Sequence, residues 1–111
     1  MIDVIVPVKG RPLKLGQALK SLESQTYRAF EVTVVNDHSS AEDRHEIAII
    51  CSEYNGTINL IDSKGTGASA ARNFGFGNTQ NEYILWFDSD DILLPNKLEN
   101  DLKLFKANTF D

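Results

Sequence analysis

The sequence predicts an α/β fold, a three-layer αβα sandwich around a mainly parallel sheet. Two observations carry this expectation. Short apolar runs rich in β-branched and aromatic residues alternate with amphipathic helical periods along all 111 residues. The most apolar of the runs, Tyr83-Ile84-Leu85-Trp86-Phe87, leads straight into Asp88-Ser89-Asp90-Asp91. A buried strand of a parallel sheet looks like this, and in open α/β sheets ligands collect at the carboxyl ends of strands.

Taken in order, Ile2 to Val8 is a valine-rich first strand. Pro12 opens a helix, as proline does at a first helical position, and Leu15, Ala18, Leu19 and Leu22 fall on one face of it. Phe30 to Val35 is a second strand, ending in Asn36-Asp37-His38-Ser39-Ser40. Ser39 with Glu42 fits a capping box for a second helix. Its apolar stripe is Ile47, Ile50, Cys51 and Tyr54, and Asn55-Gly56 stops it. Thr57 to Ile61 is a weaker third strand. Gly65-Thr66-Gly67 opens a helix of small residues that includes Ala68, Ala70, Ala71 and Gly75. Residues 83–87 form the fourth strand, and Pro95 opens a last helix with Leu98, Leu102 and Phe105 on one face. Four strands alternating with four helices imply right-handed crossovers with helices on both sheet faces.

Composition narrows the function. One domain of this length buries a core, and 41% hydrophobic with 24% charged residues is ordinary for a globular protein. A net charge of -5 argues against a nucleic-acid partner, because phosphate backbones need clustered Lys and Arg. A metal-bridged phosphate ligand stays open. Cys51 is the single cysteine, so no internal disulfide forms and a reducing compartment is the default. No apolar run reaches the roughly 20 residues that span a bilayer. The amino terminus lacks a signal-peptide pattern. A cytoplasmic location follows, with the inner face of the membrane as one place within it. Asn55-Gly56-Thr57 is a formal glycosylation sequon that reads as a turn.

In a parallel sheet all carboxyl ends share one edge. That edge would gather Pro7 to Arg11, Asp37, Ser63 to Gly67 and Asp88 to Asp91. Three carboxylates within four positions repel one another unless a proton or cation relieves them, and hard cations such as Mn²⁺ or Mg²⁺ take oxygen ligands of this kind. Each group also has a bland reading. The acids would form a solvated loop capping the last helix, Asp37 a turn residue, and Arg72 a partner for a surface acid. The small residues of 67–75 suit close helix–sheet packing. His38 and His45 read as surface residues and Cys51 as core.

Several segments carry a family resemblance. Val6-Pro7-Val8 with Arg11-Pro12, Gln25-Thr26-Tyr27 and Phe30-Glu31-Val32 resemble the opening of the inverting family 2 glycosyltransferases of GT-A fold. Val34-Val35-Asn36-Asp37-His38-Ser39-Ser40 is similar to the stretch where that family usually has Asp-Asp-Gly-Ser. Gly67-Ala68-Ser69-Ala70-Ala71-Arg72-Asn73-Phe74-Gly75 resembles its Gly-xxx-Ala-Arg-Asn-x-Gly helix. Asp88-Ser89-Asp90-Asp91 resembles its DxD motif, with Pro95 as the following proline. The pattern differs at Lys9-Gly10, at Asn36 and at His38, which stands where glycine would allow a positive φ.

The resemblance implies a donor site for a nucleotide-diphosphate sugar, often UDP, and a saccharide or lipid-linked acceptor, as in polysaccharide biosynthesis. It places Asp37 and the backbone of Pro7 and Val8 at the base, and Arg72 on the base and phosphate side. Asp88 and Ser89 join the donor contacts. Asp88 and Asp90 match the metal pair, Asp90 as the direct ligand of Mn²⁺ or Mg²⁺ and Asp88 nearer the ribose. It also implies a catalytic base and acceptor site beyond Asp111, so the chain is expected to be the nucleotide-binding half of a longer enzyme. Such a half would expose a sheet edge or apolar face and would self-associate. Rival readings are a dinucleotide fold, a non-catalytic nucleotide-binding module and a haloacid-type phosphatase. The first rests on Gly65-Thr66-Gly67-Ala68-Ser69-Ala70 as G-x-G-x-x-A, with Asp88 roughly 20 residues on. The fingerprint would sit in the third βα turn instead of the first. The phosphatase motif would need to sit on the first strand.

Overall fold

The computed structural model describes residues 2–64, 83–87, 95 and 97–100. Within them the chain runs β1 (Ile2–Val8), α1 (Pro12–Glu23), β2 (Phe30–Asn36), α2 (Ala41–Ser52), β3 (Ile58–Asp62) and β4 (Tyr83–Trp86). Residues 97–100 are helical, two residues after Pro95. The helix expected to open at Gly65 lies outside the described residues. All pairings are parallel, in the order β3-β2-β1-β4.

Side-chain parity builds the core. Successive strand residues point to opposite faces. Val4, Val6, Val32 and Val34, all fully buried, form one face with Leu15, Ala18, Leu19 and Leu22 of α1 and with Ile47 and Cys51 of α2. The four α1 residues are those the helical period selects. Ile5 and Val35 form the opposite face with Ile61, and both are fully buried too. A sheet buried on both faces explains why its strands read as nearly continuous apolar runs. Helices α1 and α2 pack against each other on the Val4–Val6 side.

Local signals set the helix boundaries. Pro12 stands at the start of α1 as expected, preceded by Arg11 in the left-handed region at φ 53. The expected Ser39–Glu42 capping box is not what forms. Ser40 is the N-cap of α2, and its hydroxyl accepts the Asp43 N–H at 3.1 Å. Ser39 is drawn elsewhere because its hydroxyl accepts the Gly10 N–H at 2.8 Å. Glu42 and Asp43 still favour the positive end of the helix. The helix ends at Ser52, so Tyr54 packs from the following turn. Burial pushes the Cys51 thiol up to about 11 and the Tyr54 hydroxyl up to about 12. At φ 154 Gly56 holds a backbone conformation that other residues rarely adopt, and a Cβ there, 2.7 Å from the Tyr54 ring, would also displace the ring. Strand β3 sits one residue later than its pattern, at Ile58–Asp62, because Asp62 pairs with Asn36.

Candidate functional site

The strand order reverses beside β1. The chain moves from β1 to β2 to β3 on one side and then returns to place β4 on the other. The crevice at such a switch point, outside the carboxyl ends, is where open α/β sheets bind ligands. Strand β4 pairs with β1 up to Ile5↔Trp86, and the Phe87 N–H donates to the Ile5 carbonyl at 2.9 Å. Pro7 and Val8 extend past that last rung. On the other side, Val8 stands opposite Asn36, and its carbonyl accepts the Asp37 N–H at 2.8 Å. Peptides alternate between neighbouring strands, so the peptide of Pro7 belongs to the β4 side. Proline has no N–H to donate to that ladder, and it stands just past the last β1–β4 rung among the described residues.

Asp37 is the group this edge leaves unsatisfied. It is 4% exposed, and its Oδ1 has no hydrogen-bond partner among the described residues. Leaving a buried acceptor unpaired costs roughly 1–3 kcal/mol, so such a group calls for a ligand or a compensating role. Next to it, His38 adopts φ 56. The sequence marks this position as costly, yet histidine is among the residues enriched in the left-handed region, and its ring is exposed.

That left-handed turn brings the Ser39 N–H to the Asn36 Oδ1 at 3.3 Å. The Ser39 hydroxyl then ties Gly10 of the first loop. Gly10 has φ 67, and a Cβ there would press on the Asp43 carboxylate at 3.2 Å. On the outer side, Asn36 Nδ2 donates to Asp62 Oδ1 at 2.8 Å. Arg44 grips the same carboxylate with Nε at 2.8 Å and Nη2 at 3.3 Å. Hydrogen bonds from Arg44 and then Asn36 hold the Asp62 carboxyl below its ordinary range, and the Asp62 hydrogen bond raises Arg44.

A second anchor was not visible as such in the sequence. Gln25, 3% exposed, donates from Nε2 to the Ser21 carbonyl at 3.2 Å and accepts the Leu98 N–H at 3.0 Å. The Thr26 N–H donates to the Pro95 carbonyl at 2.7 Å, and its hydroxyl reaches Glu99 at 3.0 Å. The end of α1 therefore holds the segment that follows the acidic stretch. The Gln25-Thr26-Tyr27 segment, just past the end of α1, was the available signal.

Of the predicted site residues, Pro7, Val8 and Asp37 share the carboxyl edge of β1 and β2. Arg72, Asp88, Ser89 and Asp90 lie outside the described residues. Among the described residues no three His, Cys, Asp or Glu side chains are grouped to hold a metal. No described helix is long and apolar enough to cross a membrane. A groove of about 420 Å³ runs between α1 and α2, lined by Leu13, Lys20, Ile50 and Tyr54 among others, and it contains none of the loop residues above.

Known proteins agree with this arrangement. The family described as Glycosyl transferase family 2 matches residues 3–111. The chain belongs to that family. An uncharacterized glycosyltransferase of Rickettsia bellii is 38% identical over 109 residues, which are 98% of this chain and 16% of that protein. Among solved structures, S. aureus TarS 1-349 in complex with UDP superposes with a TM-score of 0.78 at 23% identity, over 96% of this chain and 32% of that one. The mannosyltransferase PcManGT from Pyrobaculum calidifontis, in complex with GDP-Man and Mn²⁺, gives 0.82 at 20% identity, over 92% and 31%. This family 2 chain therefore has the GT-A fold and spans about a sixth of the length of its Rickettsia relative. Family membership accounts for the whole chain, whereas a dinucleotide fingerprint accounts for one loop.

Proposed function

We propose that residues 1–111 are one nucleotide-sugar-binding domain of a longer glycosyltransferase. The enzyme moves a hexose-type sugar from a nucleotide-diphosphate donor, first of all a UDP-sugar, to a hydroxyl of a saccharide or lipid-linked acceptor. The observation that carries this reading is Asp37: a buried carboxylate whose Oδ1 has no partner among the described residues, at the carboxyl edge of the sheet beside Val8 of β1. Uracil and guanine both present ring N–H groups that such an acceptor would satisfy. The UDP and GDP-Man complexes of the structural neighbours support this ligand class.

The remaining roles follow the family pattern. Pro7 and Val8 line the base with backbone, and Arg72 faces the phosphates. Asp88 and Ser89 contact the donor, and Asp88 with Asp90 supply the oxygen ligands that Mn²⁺ or Mg²⁺ prefers. When bound, that metal offsets the charge that grows on the departing diphosphate. In the family pattern the base that deprotonates the acceptor is carried by another part of the enzyme, and the same division is proposed here.

The test is a calorimetric titration with UDP, with and without Mn²⁺, on the wild-type chain and on Asp90→Asn. Binding that needs Mn²⁺ and falls at least about tenfold in the variant is expected. Metal-independent UDP binding that the variant retains would remove the metal assignment. Binding of NAD in preference to UDP would remove the donor assignment.

A further inference from the structure

We infer that Asn36 is a positioning residue: its amide bridge to Asp62 fixes the turn that presents Asp37 to the nucleotide base. This rests on the reading of Asp37 given above. Three observations build it. The β2–β3 register sets Asn36 and Asp62 on one rung, and neighbouring side chains on a rung of a parallel sheet project to the same face. Asn36 is 5% exposed, so water does not readily replace either of its partners. Its two ends do opposite jobs: Nδ2 donates to Asp62, and Oδ1 accepts from the Ser39 N–H.

Only an amide satisfies both ends at once. A carboxylate at position 36 still accepts from Ser39. Its second oxygen, however, would take the place of Nδ2, 2.8 Å from Asp62 Oδ1, and two like charges would meet. An apolar side chain makes neither bond. The Arg44 fork holds Asp62 from the other side, so the acceptor does not swing away. A path of hydrogen bonds thus runs Arg44, Asp62, Asn36, Ser39, Gly10, joining α2, β3, the loop after β2 and the loop after β1. Asp37 lies in the turn that this path closes, between Asn36 and the left-handed His38. A shift of the Asn36 side chain frees Ser39 and Gly10 and thereby the backbone on both sides of Asp37. The aspartate that the family pattern carries at this position would not fit beside Asp62 here; Asn36 and Asp62 are a matched pair.

The test uses Asn36→Asp, Asp62→Ala, and Asn36→Asp combined with Asp62→Asn. Two readouts are taken: hydrogen exchange of the Gly10 and Ser39 amides by NMR, and UDP affinity by calorimetry with Mn²⁺. In Asn36→Asp both amides should exchange about tenfold faster, and UDP should bind about tenfold more weakly. The combined variant restores a donor–acceptor pair and should bring both readouts back to within about threefold of wild type. A residue that only supports the fold would not be rescued in this residue-specific way. If Asn36→Asp fails to fold, Asp62→Ala decides. Asp62 is 61% exposed, so its loss spares the fold, and the same two amides should lose protection. Wild-type exchange and affinity in Asn36→Asp, or in Asp62→Ala when Asn36→Asp does not fold, overturns the proposal. So does a combined variant as impaired as Asn36→Asp. If the wild-type chain binds no UDP, the donor reading fails, and amide exchange alone decides the role of Asn36.

Discussion

At Asp37 burial and binding pull in opposite directions. Its backbone is tied to Val8 while its Oδ1 stays unpartnered among the described residues. Asp37→Asn replaces a buried carboxyl group by an amide of the same shape. It should melt at the wild-type temperature or slightly above, while UDP affinity falls at least about tenfold. Scanning fluorimetry and calorimetry check the two halves, and full retention of affinity would remove Asp37 from the site. Asp62 makes the contrasting case. Its pair with Arg44 is geometrically good but open to solvent, at 61% and 32% side-chain exposure. Arg44→Ala should therefore cost no more than about 1 kcal/mol. The folded-state value of Asp62 lies below the ordinary 3.8, so this contribution is present above that value and fades as pH falls through the folded one. Urea unfolding at neutral and acid pH should show the gap between wild type and Arg44→Ala closing only in acid. Asp37 was legible in the sequence as a polar residue at a strand end. That its carboxylate is buried, and that Asn36 faces Asp62, was not, because both depend on the strand beside it.

Helices and strands were the most readable level. The i, i+3, i+4, i+7 spacing of Leu15, Ala18, Leu19 and Leu22 selects the buried face of α1, since helical geometry fixes which residues share a side. Leu22→Ala should cost about 2–5 kcal/mol, because Leu22 is fully buried. Leu13→Ser on the same helix should stay within about 0.5 kcal/mol, as Leu13 is 81% exposed. Chemical denaturation measures both. The cap of α2 was misread by one residue. Ser39 and Ser40 are equivalent in local sequence, and what separates them is the Gly10 N–H, 29 positions away, which captures the Ser39 hydroxyl. Gln25-Thr26 was visible as a motif, but its bonds to Leu98, Pro95 and Glu99 cross the molecule.

For the whole molecule, the strand order β3-β2-β1-β4 puts Val8, Asn36, Asp62 and the end of β4 on one edge. The donor site proposed there would hold the nucleotide and leave the catalytic base to another part of the longer enzyme. Incubation of the 111-residue chain with UDP-sugar and an acceptor saccharide should give no transfer above background. Turnover followed by release of UDP would show that the base lies within these residues after all.

By itself the sequence determined β1, α1, β2 and α2, the buried face of α1 and the family motifs. Those depend on local periodicity and on short runs of residues. Tertiary structure alone decided that β4 lies beside β1, that Ser39 holds Gly10 instead of capping α2, and that an asparagine at position 36 meets a carboxylate at 62. The reason is the same in each case. Hydrogen-bond partners distant in the chain are chosen by strand order and register, and a parallel sheet fixes both only when its crossovers have closed.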